Sequence, residues 1–221
     1  MHRVAAATPG RPKESGRAEA RREQILKEAT AAFAQHGFSS TDVQAIADTL
    51  TIGKGTVYRY FPTKRDLFLA AVDRGMRLLG ECIDEAVEAQ SDPLAQVEAG
   101  FRSYLAFFDA HPEVVELFVQ ERAAFRDREQ STYFVHKEQD IARWHSLLSE
   151  MMKSGQLRAM PVAELTDFIS DHLYGMVFTN HFSGRKRTLA EQAGSALRII
   201  HAGILPEPPS GAAPTPKGRR P

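Results

Sequence analysis

Apolar residues recur at three- and four-residue spacing along most of the chain, and that pattern predicts helices separated by short turns. The first helix runs from about Arg17 to His36, with Ile25, Ala29, Ala32 and Phe33 inward and Gly37 as its C-terminal stop. Two short helices follow. Thr41 caps the first of these, Gln44 completes a capping box, and Val43, Ile46, Ala47 and Leu50 share one face. Thr51-Ile52-Gly53 supplies the turn. The next helix, roughly Lys54 to Phe61, turns Val57 and Phe61 inward and stops at Pro62. Thr63, with Asp66 in the box position, caps a long helix reaching about Ala89 and carrying Leu67, Ala71, Met76, Leu79 and Ile83. Asp92-Pro93 and His111-Pro112 open two more helices. Others span about Ser131 to Ser154 ahead of Gly155, Pro161 to Ser183-Gly184, and a Thr188/Glu191 capping box to Leu205. Alternation with hairpin signals is missing, so the expected fold is all-α with about nine helices.

Composition divides this pattern. Residues 1–16 and 206–221 are rich in Pro, Gly and charge and read as a disordered basic arm and a disordered tail. Between them, 17–65 form a three-helix module and 66–205 a larger helical domain. The formal net charge is zero, yet it is unevenly spread: the first 65 residues are net basic and the remainder net acidic. The single Cys82 leaves no internal disulfide and fits a reducing cytoplasm. No run is apolar enough for a membrane span, and the N-terminus lacks a hydrophobic signal core.

The segment TDVQAIADTLTIGKGTVYRYFPTK, Thr41 to Lys64, is a helix-turn-helix in outline. Such a pair places its second helix in the DNA major groove while neighbouring residues hold phosphates. Lys54, Arg59, Lys64 and Arg65 are cationic, and no acid lies between Thr49 and Arg65. Gly55 lets the backbone approach a phosphate or base closely. Thr56, Tyr58 and Tyr60 offer hydroxyls to phosphates and apolar surface to thymine methyls. Gln44 has two readings, capping box or DNA contact, and the basic arm is either a solvated tail or a minor-groove contact.

Phe33, Gly37-Phe38, Thr41, Ile46-Ala47, the run Gly53-Lys54-Gly55-Thr56-Val57-Tyr58-Arg59-Tyr60-Phe61, and Lys64 with Leu67-Phe68 together resemble the TetR family of bacterial transcription regulators over residues 20–70. The chain departs from that pattern at Thr51, where the family usually has glycine; a β-branched residue is unfavourable there if the turn needs positive φ. The resemblance implies that Thr41, Tyr60 and Lys64 grip phosphates, while Lys54, Thr56 and Tyr58 lie near base edges. It also implies a homodimer on a palindromic operator, the last two long helices pairing with their copies, and an effector pocket in the larger domain.

Bulky residues at helical spacing are the candidate pocket lining: Phe101, Tyr104, Phe108, Phe118, Phe125, Trp144, Phe168, His172 and Met176. They suit a small lipophilic or aromatic effector. Leu165, Ile169, Leu173, Val177, Leu197, Ile200 and Ile204 are the candidate dimer seam. No metal or cofactor is expected: His136 and Asp140 share a helix face, but a metal needs three or four convergent ligands. Nor does a catalytic triad, nucleotide-binding glycine loop or paired catalytic carboxylate stand out. The expectation is a ligand-responsive repressor; an activator, a ligand-independent regulator and a non-specific architectural DNA binder are the alternatives.

Overall fold

The computed structural model describes residues 12–184 and 186–205, and among them the chain forms nine α-helices and no strand. These are α1 (Pro12–Ser40), α2 (Val43–Thr49), α3 (Lys54–Tyr60), α4 (Lys64–Glu88), α5 (Pro93–Ala110), α6 (Pro112–Ala124), α7 (Thr132–Lys153), α8 (Val162–Ser183) and α9 (Leu189–Ile204). Residues 1–11 of the expected arm and the expected tail 206–221 lie outside the described residues. Within the arm's expected span, α1 already begins at Pro12. A break at Gly37, φ +81°, separates its last turn from the rest.

Most ends follow the capping residues. Thr63 and Asp66 form a reciprocal box at α4, Thr188 and Glu191 another at α9, and Asp92 caps α5 ahead of Pro93. A carboxylate on α5 also serves α9: Asp109 accepts from the Leu189 and Ala190 N–H groups at 2.9 and 2.8 Å. The start of α2 differs from expectation. Asp42 is its N-cap, accepting from the Gln44 N–H at 2.8 Å. Thr41 is instead buried, its hydroxyl donating to the Gly37 carbonyl at 2.7 Å. The Gln44 side chain donates to Asp48 at 2.7 Å, so the expected Thr41/Gln44 box does not form.

α1 is the spine of the N-terminal half. Ile25, Leu26, Ala29 and Phe33 are fully buried, and α2, α3 and the first turns of α4 close over them with Ile46, Val57, Leu67 and Phe68. α1 also packs along α6, and α4 packs extensively against α5. Gly75 permits the α4–α6 approach, since a Cβ there would lie 2.8 Å from Val114 Cγ1. At the seam, Phe125 caps α6 and packs edge-on against Phe38 and at a tilt against Phe68, with ring centroids 4.8 and 5.4 Å away. The Arg65 guanidinium covers the Phe125 ring at 4.8 Å and pairs with Asp127 at 2.6 Å. Gln120 adds a bond to the Phe33 carbonyl at 2.9 Å. Glu121, almost wholly buried, accepts from Arg128 (2.5 Å) and from the Thr132 N–H (2.9 Å), which fixes the start of α7.

The turn between α2 and α3 is strained at one residue. Ile52 N–H bonds to the Ala47 carbonyl and Thr51 N–H to the Asp48 carbonyl, both at 3.0 Å, which is the Schellman pattern. Its left-handed position falls on Thr51, φ +54°, the one non-glycine at positive φ among the described residues. A β-branched residue there costs about 1–2 kcal/mol. Thr51→Gly is therefore expected to raise unfolding stability by about 1 kcal/mol, seen as a higher denaturant midpoint at unchanged slope. An unchanged or lower midpoint would contradict the strain.

Candidate functional site

α3 presents one exposed strip. Gly55, Tyr58 and Arg59 stand at helical spacing on the surface; Tyr58 is 36% exposed, and a Cβ added at Gly55 would meet nothing within 4 Å. Thr56 and Tyr60 are half-buried beside them. Val57 on the opposite side is fully buried and anchors the helix to α1 and α2.

The cations are held, not free-swinging. Lys54 donates to Asp42 at 3.1 Å, which ties the start of α3 to the cap of α2. The Gln44 N–H and then Lys54 keep the Asp42 carboxyl below its usual range. Lys64 donates to the Ser39 carbonyl at 3.0 Å and lies over the Phe38 ring at 5.1 Å; partial burial lowers its pKa. Arg59 sits over Tyr60, 5.6 Å from its centroid. Of the expected DNA-facing residues, Gly55, Tyr58 and Arg59 are exposed, and Lys54, Thr56, Tyr60, Gln44 and Lys64 are half-buried around them. Thr41 is turned inward by its bond to Gly37. The sequence reading missed Asp42, whose signal was present: two cap-forming residues stand side by side at 41 and 42.

The larger domain holds a cavity of about 140 Å³ bounded by α4, α5, α7, α8 and α9. Phe101, Tyr104 and Trp144 line it as expected. Its other walls include Met76 and Ile83 of α4, Tyr133 and Leu148 of α7, and Ile169 and Leu173 of α8. Gly100 lets α5 approach α7, because a Cβ there would lie 2.7 Å from the Trp144 ring. At the buried end, the Tyr104 and Tyr133 hydroxyls are 2.9 Å apart. Burial pushes both phenols up, Tyr133 to about 12 and Tyr104 well above the ordinary range, so both stay protonated. At the more exposed end, Lys137 lies 3.7 Å from both Asp167 and Asp171. Asp140 is raised by burial and by the nearby Asp84 charge.

Six expected lining residues lie elsewhere. Phe125 is in the aromatic seam under α4. Phe108 packs among Tyr104, Phe107 and Phe118 behind the cavity wall. Phe118 borders a separate shallow groove with Arg122, Arg126, Tyr174 and Phe178. Phe168 is 58% exposed and stacks on the exposed His172, and Met176 does not reach the cavity. The expected dimer residues lie on the inner side of the protomer. Leu165 and Val177 are buried within the protomer, and Ile169, Leu173, Leu197, Ile200 and Ile204 line the cavity. α8 is apolar on most of its circumference, so spacing offered two stripes, and the inner one was assigned outward. His136, a considered metal ligand, bonds to Asp73 on α4 at 2.9 Å. The described residues contain no group of three metal-ligating side chains.

A short cationic helix held behind a braced turn, on a helical body enclosing an apolar cavity, defines the class: a DNA-binding transcriptional regulator of the helix-turn-helix type. Residues 25–71 match the family model described as bacterial regulatory proteins, tetR family. Over that segment the chain carries the TetR-family DNA-binding domain. It is 28% identical over 155 residues to the uncharacterised regulator YhgD of Bacillus subtilis, spanning 70% of this chain and 80% of that one. It is 24% identical over 196 residues to the transcriptional repressor KstR2 of Mycobacterium tuberculosis, 87% of this chain and 97% of the relative. The transcriptional regulator FadR of Bacillus subtilis, solved with stearoyl-CoA, superposes with TM-score 0.70 at 18% identity, over 82% of this chain and 98% of that one. Among the described residues no helix is long and apolar enough to cross a membrane.

Proposed function

We propose that the protein is a cytoplasmic, homodimeric repressor that binds a palindromic operator through two copies of α3 and is released by a lipophilic effector in the cavity. The single observation that carries this reading is the exposed Gly55-Tyr58-Arg59 strip on a helix whose other face is locked into the domain. In this reading Tyr58, Thr56 and Lys54 meet base edges, and Arg59, Tyr60 and Lys64 meet phosphates. The names of relatives support the two halves of the proposal. KstR2 is a repressor, its structure is titled a ketosteroid transcriptional regulator, and FadR was solved with an acyl-CoA.

One short helix reads few base pairs, and a two-fold dimer doubles the site. The proposed dimer face is the outer side of α8 and α9. Phe168, His172, Gly175, Thr179 and Phe182 recur on α8 at helical spacing, and Ile199 is exposed on α9. Phe182 is 66% and Ile199 74% exposed, a large apolar exposure for a lone protomer. An effector that favours one separation of the two reading helices then changes operator affinity; a coupling of about 1–3 kcal/mol corresponds to about 5- to 150-fold.

Selection of bound sequences from random duplex DNA is expected to return a palindrome. On that duplex, Tyr58→Ala is expected to weaken binding by about tenfold or more with the fold intact. Binding without sequence preference, or unchanged by Tyr58→Ala, would contradict the assignment. In sedimentation equilibrium, Ile199→Glu is expected to convert dimer to monomer at unchanged helix content; a variant that remains dimeric places the contact elsewhere.

A further inference from the structure

The chemistry of the cavity wall narrows what can occupy it, on the reading that this cavity is the effector site. Four hydroxyl-bearing side chains line it: Tyr104, Tyr133, Thr166 and Ser170. Two have already given their hydrogen to the backbone. Thr166 donates to the Val162 carbonyl at 2.6 Å and Ser170 to the Thr166 carbonyl at 2.8 Å, each one turn back along α8. The tyrosine pair is different. Two phenols bring two O–H donors, and their mutual contact at 2.9 Å uses one. Among the described residues, neither hydroxyl has a second hydrogen-bond partner. Tyr104 and Tyr133 are only 7% and 5% exposed, so the remaining donor sits in a largely apolar surround, where an unmatched polar hydrogen is costly.

The charge around the cavity sets the second condition. Two basic side chains belong to the lining, and both already face carboxylates: His201 is 3.7 Å from Glu98, and Lys137 lies between Asp167 and Asp171. Asp140 adds a carboxyl to the same end. A carboxylate or phosphate carried to the tyrosine end would leave water without an uncommitted cation to meet it.

We propose that the cavity selects an uncharged, largely apolar molecule carrying a carbonyl oxygen, a ketone, ester or thioester, and that the Tyr104–Tyr133 hydroxyl pair is the donor that recognises it. The bond is neutral on both sides, and it is made in a site that water does not share freely, so the oxygen fixes the orientation of an otherwise featureless apolar body. Either phenol can supply the hydrogen. The selectivity therefore belongs to the pair.

Three probes with one carbon skeleton test this on the full-length protein: 2-decalone, decalin and decalin-2-carboxylate. Trp144, the only tryptophan in the chain, lines the cavity and reports occupancy through its emission. The ketone is expected to bind about tenfold more tightly than the hydrocarbon, the usual scale of one neutral hydrogen bond. The carboxylate is expected to bind more weakly than the ketone. The carbonyl stretch of bound decalone should fall below its frequency in cyclohexane. In Tyr104→Phe or Tyr133→Phe alone, the ketone-to-hydrocarbon ratio should persist, because one donor remains. In the double variant the ratio should fall to near one and the stretch should return to its apolar value. Equal binding of ketone and hydrocarbon by the native protein, tightest binding of the carboxylate, or a ratio that survives the double variant would overturn the proposal. If none of the three alters Trp144 emission, the reading of the cavity as an effector site fails, and this inference fails with it.

Discussion

The position of α3 depends on one aromatic seat. Phe125, at the end of α6, fills a space bounded by Phe38 of α1 and Phe68 of α4, and Phe33 packs edge-on against Phe68 with centroids 5.0 Å apart. Arg65 closes the seat from outside and is itself held by Asp127. Close-packed rings of this kind leave little room for sliding, so α1, α4 and α6 share one geometry. No flexible linker separates the helix-turn-helix from the body. α4 belongs to both: its first turns pack against α1, where Phe68 meets Phe33 and Phe38, and its middle turns form a wall of the cavity.

That arrangement gives the proposed regulation a mechanical basis. Met76, Leu79, Gly80 and Ile83 of α4 line the cavity, and Gly75, one residue earlier, is pressed against Val114 of α6. A molecule that moves α4 at the cavity must either carry α6 with it or shear that contact. Tight interfaces respond to such pressure by switching between packings more than by bending gradually. The Tyr104–Tyr133 pair and Trp144 stand on the α5 and α7 walls of the same cavity, so one occupant can touch them and α4.

Helix ends were largely legible in the sequence because capping is local chemistry. Thr63/Asp66, Asp92-Pro93 and Thr188/Glu191 each mark a boundary that the structure keeps. Thr41 and Asp42 show where that signal fails: two cap-formers stand adjacent, and burial of the Thr41 methyl and hydroxyl under α1 decides between them. Thr51 was legible as a conflict, a β-branched residue in a turn that needs positive φ, and the conflict is real. The inward face of α8 was not legible, because a helix apolar on most sides gives spacing no preferred stripe. Phe125 was hidden for another reason. It ends a helix, where periodicity carries no information, and its partners are more than fifty residues away in sequence.

Native-state hydrogen exchange tests directly whether the seat joins the reading head to the body. Buried amides of α1, such as Ile25 and Phe33, should open with the same free energy as those of α5 and α6, such as Leu105 and Leu117, since all belong to one continuous core. Exchange of α1 to α3 at a clearly lower opening free energy, while α5 to α9 stay protected, would show that the helix-turn-helix unfolds on its own and would contradict the account.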